Sequence, residues 1–203
     1  GTYVSTSATV LASRLDALRA QHGMRQKLYR QMQDGSVQWT YAWLLEAGGN
    51  IGPNSVDAQE VDLSFLQQDR AWYSSAAQVT TSTITGSTKG VSICNAGTIE
   101  NINSVLTITV GSSSITALHI TLGSTTALFT TSTLPAGQDL VLDQSNWTIE
   151  LNSVDWFAHW HRDTGHAISN WITIPTTTAT LLFTCTSGST DHAISLAYRD
   201  TYR

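Results

Sequence analysis

Apolar and polar positions along this chain fall into two regimes. In the first, Val10, Leu11, Leu15 and Leu18 recur at helical spacing, which predicts a helix over residues 7–23. Ser5 or Ser7 can cap its start, and Gly23 stands where a C-terminal stop belongs. Gln26–Met32 and Val37–Glu46 then read as strands, joined by Asp34-Gly35, a pair that signals a hairpin because its backbone tolerates positive φ. Gly48-Gly49-Asn50 and Gly52-Pro53-Asn54 interrupt the pattern as a loop. A strand pattern resumes over Val56–Leu66 and sets Val61, Leu63 and Phe65 on one face.

The second regime is strict alternation. Leu106, Ile108 and Val110 alternate with small or β-branched residues, as do Leu118, Ile120 and Leu122. Trp147, Ile149 and Leu151 repeat the pattern, followed by Leu181, Phe183 and Cys185, and by Ile194, Leu196 and Tyr198. Gly111-Ser112, Gly123-Ser124, Pro135-Ala136-Gly137, Asn152-Ser153 and Ser187-Gly188 punctuate these runs as turns. Closely spaced strands of period two predict a sandwich or barrel. No strand–helix alternation is present, which argues against a parallel nucleotide-binding sheet.

Composition sharpens the division. Residues 1–70 hold six of the ten basic residues and seven of the fifteen acidic ones, whereas residues 71–203 are poor in charge and rich in Thr. Thr suits a pleated strand because its Cβ is branched. The reading is a mainly β chain, with a small α+β part over 1–70 and an antiparallel β-sandwich over 71–203. The formal charge of -5 argues against a dedicated nucleic-acid binder. Apolar runs such as Tyr41-Ala42-Trp43-Leu44-Leu45 fall far short of the roughly 20 residues of a spanning helix. The opening GTYVSTS has neither the basic region nor the apolar core of a signal peptide. It also lacks an initiator Met and reads as a fragment or a processed product.

Candidate chemistry is sparse. His159 and His161 would share a face if they lay on one strand, as zinc ligands do, with Asp163 or His166 completing the set. The alternative is a polar loop between strands, and no metal is assigned. Cys94 and Cys185 both fall in predicted strands and read as unpaired, buried residues. No H-E-x-x-H, G-x-S-x-G or Walker A pattern occurs, so the expectation is a chain that is no enzyme and takes no cofactor. Gly86-Ser87-Thr88-Lys89-Gly90 reads as a hairpin turn rather than a phosphate loop, and Asp139 and Asp143 as solvated strand-end charges. Asn146-Trp147-Thr148 matches a glycosylation sequon, with no secretory signal to give it meaning. Arg14, Arg19, Arg25, Lys27 and Arg30 form the basic concentration, with Asp16 inside it, and read as a solvated or subunit-facing surface. Trp39 and Trp43 share strand parity, as do Trp156 and Trp160, and such rings fill a core, anchor an interface or stack on sugars.

Several stretches in order resemble one family. LPAGQDLVLDQSNWTIELNSVDWF (134–157), NWITIPTTTATLLFT (170–184) and AISLAYRDTYR (193–203) are similar to the C-terminal galectin-like β-sandwich of distal tail proteins from long-tailed bacteriophages. Leu134, Pro135, Gly137, Leu140 and Asp143 match its leucine-Pro-x-Gly element and following strand. Trp147 to Leu151, Asn152, Trp171, Pro175, Tyr198, Arg199 and Tyr202 match later elements. Asn95-Ala96-Gly97 resembles the family's Asn-x-Gly lead-in, residues 61–73 resemble the strand and Trp that precede that domain, and residues 15–47 resemble the helix and hairpin of its N-terminal ring-forming part. Asn152-Ser153 stands where the family has Asn-Gly, and Pro175-Thr176 where it has Pro-Gly.

The resemblance implies a virion structural protein at the tail tip, assembled in the host cytoplasm. It implies a hexameric ring of this chain, with the tail tube protein, the tip or baseplate hub protein and a receptor-binding protein as partners, and no membrane or sequence-specific nucleic acid. The helix face of Leu11, Arg14, Leu15, Leu18 and Arg19 and the strand of Val61, Leu63 and Phe65 are the candidate subunit contacts. The competing reading is a carbohydrate-binding β-sandwich for host-surface attachment. A metal enzyme on His159, His161 and His166 is a third.

Overall fold

A computed structural model describes residues 2–4, 16–17, 20–48, 58–60, 62–68, 70–122, 126–162, 172–188 and 191–203. The chain divides into two units, Gly1–Trp72 and Tyr73–Arg203.

In the first unit, β1 (Thr2–Val4), β2 (Arg25–Gln31), β3 (Val37–Gly48), β4 (Ala58–Glu60) and β5 (Asp62–Gln67) follow in order, and β6 (Trp72–Ser74) straddles the division. β2 and β3 form the hairpin that Asp34-Gly35 predicts, in register from Arg25↔Trp43 to Gln31↔Val37. Gly35 takes φ +84° and donates its N–H to Met32 O at 3.0 Å, while Met32 N–H meets Ser36 O at 2.8 Å. This is the wider hairpin loop with glycine in the left-handed position, rather than the tight two-residue form. The Asp34 carboxylate accepts both the N–H and the hydroxyl of Ser36, at 2.9 and 2.6 Å.

The remaining expectations for this unit hold in part. Asp16–Ala17 are helical, and Ala20 N–H bonds Asp16 O at 2.9 Å. The helix does not run to Gly23, because Ala20–Gln21 turn and His22 bridges Leu44. Gly23 does adopt φ +73°, but its N–H goes across to Leu44 O at 3.0 Å rather than back into a helix. The single strand expected over Val56–Leu66 is two: β4 pairs with β1, and β5 pairs with β3 through a bulge between Leu44 and Glu46.

The second unit is an antiparallel β-sandwich. Its sandwich strands are β7 (Gln78–Ile84), β8 (Thr88–Ile93), β9 (Val105–Thr109), β10 (Ile115–Leu122), β11 (Thr126–Thr130), β12 (Asp139–Asp143), β13 (Thr148–Leu151), β14 (Val154–Asp155), β15 (His161–Arg162), β16 (Ala179–Ser187) and β17 (His192–Tyr198), while β18 (Thr201–Tyr202) lies in neither sandwich sheet and pairs with β6. One sheet has six strands in the order β14-β13-β12-β9-β17-β7, and the other has five in the order β15-β11-β10-β16-β8. Alternate residues of both sheets meet in one core, with Ile108, Leu140, Leu196, Leu118 and Phe183 fully buried. Removing that apolar area from water is the main favourable term in holding the unit together.

Three sequence expectations need correction here. Gly86–Gly90 is no hairpin turn: β7 pairs β17 and β8 pairs β16, so the chain turns a corner between sheets. Trp147 is not in β13. It sits in the preceding turn at φ +58° with 47 % of its surface exposed, so the buried alternation starts at Ile149. Cys94 lies just past β8 and is half-buried, while Cys185 is buried in β16; both are unpaired. Asn152-Ser153 forms the β13–β14 turn with both residues at positive φ, +50° and +66°, the type I′ geometry that usually takes glycine at its second position.

Candidate functional site

β3 places its side chains against expectation. Gln38, Thr40, Ala42 and Leu44 are buried, whereas Trp39, Tyr41 and Trp43 are only half-buried on the opposite face. The buried polar groups are satisfied. Arg30 donates to Gln38 Oε1 at 2.9 and 2.6 Å, and Gln67 donates to Thr40 Oγ1 at 3.2 Å. The guanidinium of Arg30 also lies 4.2 Å from the centroid of Trp72.

Hairpin register builds the other face. Arg25, Lys27 and Tyr29 stand directly opposite Trp43, Tyr41 and Trp39, so all six share that face. The cations stack diagonally: Arg25 lies 3.7 Å above the Tyr41 ring and Lys27 4.2 Å above Trp39. Trp39 meets Tyr41 edge-on at 5.3 Å. Leu66, opposite Trp43, and Tyr29 extend the face with 54 % and 58 % exposure. Exposed large apolar groups grouped on one face are the surface signal of a docking site. Aromatic and arginine side chains are the residues that anchor such contacts.

The residues singled out from sequence fare unevenly. Leu63 is half-buried opposite Ala47. Phe65 is exposed opposite Leu44, at the rim of a 260 Å³ hollow that Gln21, Gln26, Leu28, Ala42 and Leu44 also line. Leu11, Arg14, Leu15, Leu18, Arg19 and Val61 lie outside the described residues. Arg25, Lys27, Tyr29, Trp39, Tyr41 and Trp43 were missed as one site. The signal was present in the alternation of Trp39, Tyr41 and Trp43 opposite Arg25 and Lys27, once the Asp-Gly turn sets the register.

The histidine stretch does not assemble as ligands on one strand. Phe157–His159 is a 3₁₀ turn, and only His161 belongs to β15. His159 stacks on Trp156 at 4.7 Å, and its Nδ1 lies 3.1 Å from Ser132 Oγ. Asp163 and His166 lie outside the described residues. Among the described residues no group of three His, Cys, Asp or Glu is placed to hold a metal ion.

The Asn-x-Gly element and the terminal YRDTYR close on each other. Asn95 is fully buried; its Oδ1 accepts the N–H groups of Gly97 and Thr201, both at 3.0 Å. Its Nδ2 donates to Thr201 Oγ1 at 2.7 Å and to Ile99 O. A Cβ on Gly97 would sit 1.8 Å from Thr201 O, so only glycine fits. Asp200 accepts Ala96 N–H at 2.9 Å, Tyr198 donates its hydroxyl to Cys94 O at 2.9 Å, and Arg199 reaches Ser74 O at 3.0 Å. Burial, more than the other influences on it, raises the Tyr198 phenol above its usual range. These motif residues therefore lock the C-terminal strand.

Taken together, the fold is a mainly β chain of two units, a strand hairpin with an aromatic, cationic face and an antiparallel sandwich. No protein-family model and no curated protein matches the chain. Among solved structures it is similar to the crystal structure of the Dit protein of phage SPP1, described as a paradigm of the hub adsorption apparatus in phages that infect Gram-positive bacteria. The superposition has a TM-score of 0.65 at 18% identity and covers 98% of this chain and 76% of that one. The chain thus has the fold of a phage Dit protein.

Proposed function

We propose that this chain is a structural, non-enzymatic component of the tail tip of a long-tailed bacteriophage, where its copies close into a hexameric ring. The observation that carries this reading is the likeness to SPP1 Dit over 98% of the chain, both units included. The ring would join the tail tube protein to the tip hub, with receptor-binding proteins outside, and the sandwich would be the galectin-like part. Head-to-tail contacts of a closed ring join two different surfaces of neighbouring copies. The aromatic, cationic face of the β2–β3 hairpin supplies one such surface, with Arg25, Lys27, Trp39, Tyr41, Trp43 and Leu66 on it.

Light scattering after size exclusion, with negative-stain images of the same peak, tests the ring. A closed ring with the mass of a hexamer of 22.0 kDa subunits is expected. A monomer at all concentrations would count against ring closure by this chain alone. A carbohydrate-binding module is the second reading, favoured by the exposed ring of Trp147 on the β12–β13 turn. It expects a monomer whose Trp147 fluorescence is quenched by sugar.

A further inference from the structure

Among the described residues the sandwich has four sheet edges, and three carry a protective device. β14 and β15 are two residues long, and β8 carries Lys89. Short strands and edge lysines are the usual means of stopping a sheet from pairing with another chain. β7 has none of these. It runs seven residues, Gln-Val-Thr-Thr-Ser-Thr-Ile, without charge or proline, and its register against β17 is unbroken from Gln78↔Tyr198 to Ile84↔His192. From Ala71 to Thr88 the chain holds no charged residue at all. Val79 is 60 % exposed, and Thr81 and Thr83 are exposed beside it. A groove of 370 Å³ opens on the same face, where Thr83, Thr109, Ala193 and Ser195 leave room.

We infer that β7 is a self-pairing edge: two copies of this chain join their 78–84 strands antiparallel about Thr81, continuing one sheet into the next. The dyad sets Val79 opposite Thr83, Thr80 opposite Ser82 and Thr81 opposite itself. Each pair is uncharged, and most are β-branched, the side chains that favour cross-strand contact. A second copy is the occupant because the strand itself carries no charge, and the one carboxylate at its end, Asp200, is buried and accepts from Gln78. A charged partner strand gains nothing there, whereas β7 matches its own length and polarity. The grooves of both copies then take the outward side chains of the partner strand, as in strand addition generally. This contact is isologous, so it cannot be the head-to-tail contact of a ring. It stands apart from the ring reading and doubles whatever species the chain otherwise forms.

The experiment is sedimentation velocity over a concentration series on the full chain, on Thr81→Lys, on Thr81→Glu and on their equimolar mixture. The wild type is expected to double in mass as concentration rises. Each single variant is expected to lose the doubling, because like charges meet at the dyad, and the mixture is expected to regain it. Thr81 is exposed, so the circular-dichroism melts of the variants are expected to match that of the wild type. Oxidation of Thr81→Cys gives a second readout. A disulfide-linked dimer is expected, because residues opposite across a dyad bring their Cα atoms within bridging distance. The same change at Thr107, two strands inward on the same row, is expected to give none. A wild type that never doubles would overturn the inference and leave the edge to a strand of another protein. Doubling that persists in Thr81→Lys, or Thr81→Cys without a cross-link, would overturn it too.

Discussion

Asn95 and Gly97 show how two residues can hold the end of a chain. Asn95 uses both its carbonyl and its amide on residues 97, 99 and 201, and Gly97 leaves the space that Thr201 O occupies. Gly97→Ala is therefore expected to cost at least about 3 kcal/mol, at the upper end for single substitutions, since the clash is with backbone. Asn95→Asp is expected to be nearly as damaging as Asn95→Ala. A carboxylate can accept from Gly97 and Thr201 but would turn an acceptor toward Ile99 O, leaving buried groups unpaired. Urea unfolding followed by tryptophan fluorescence measures both. Ser153 presents the opposite case: it holds φ +66° where glycine is at ease. Ser153→Gly is expected to stabilise the sandwich by about 0.5–1 kcal/mol, the strain relief exceeding the entropy cost. A lower urea midpoint would refute that assignment of strain. The cysteines separate by burial, which raises the Cys185 thiol above its usual range. Iodoacetamide is expected to label half-buried Cys94 first and Cys185 only on unfolding, as read by peptide mass.

Among the elements, the β2–β3 hairpin carries a turn whose hydrogen bonds are tied to acidic pH. Hydrogen bonds from the Ser36 hydroxyl and N–H hold the Asp34 carboxyl below its ordinary value of 3.8. A lowered folded value means the stabilisation is present above the unfolded value and is lost as pH falls through the folded one. Exchange of the Ser36 amide is therefore expected to quicken relative to its neighbours as pH drops below that range. Asp34→Ala should show the faster relative exchange already at neutral pH. The hairpin also marks what alternation can and cannot disclose. Leu106, Ile108 and Val110, or Leu181, Phe183 and Cys185, read directly as buried faces because a sandwich strand with one wet side obeys the period of two. β3 obeys the same period with its sense reversed: Gln38 and Thr40 go in and Trp39, Tyr41 and Trp43 stay half out. Periodicity gives the faces but not which is inward, and the reversal becomes visible only when hydrogen-bond partners such as Arg30 and Gln67 are in place. The corner at Gly86 was illegible for a related reason. A turn signal does not say whether the next strand pairs with its predecessor or crosses to the other sheet.

At the scale of the whole molecule, the aromatic, cationic face is the feature that a solitary chain does not need. Leu66 and Tyr29 are more than half exposed, and the Trp39–Trp43 row is held in place by Arg25 and Lys27 rather than covered. Leaving such a face in water costs the free energy that its burial would release, roughly 25 cal/mol for each Å². If the ring forms through this face, a charge at its centre should abolish assembly while leaving the fold alone, because the side chain replaced is already in solvent. Leu66→Glu meets that requirement: it stands opposite Trp43, on an exposed position of β5. The expected outcome is a smaller species by light scattering, with a circular-dichroism melt within a few degrees of the wild type. Thr148→Glu, on β13 of the sandwich, is the matched control and is expected to leave the ring intact. Rings that survive Leu66→Glu would remove the hairpin face from the contact and leave the other face of β5, with Phe65 and Leu63, as the surface to mutate next.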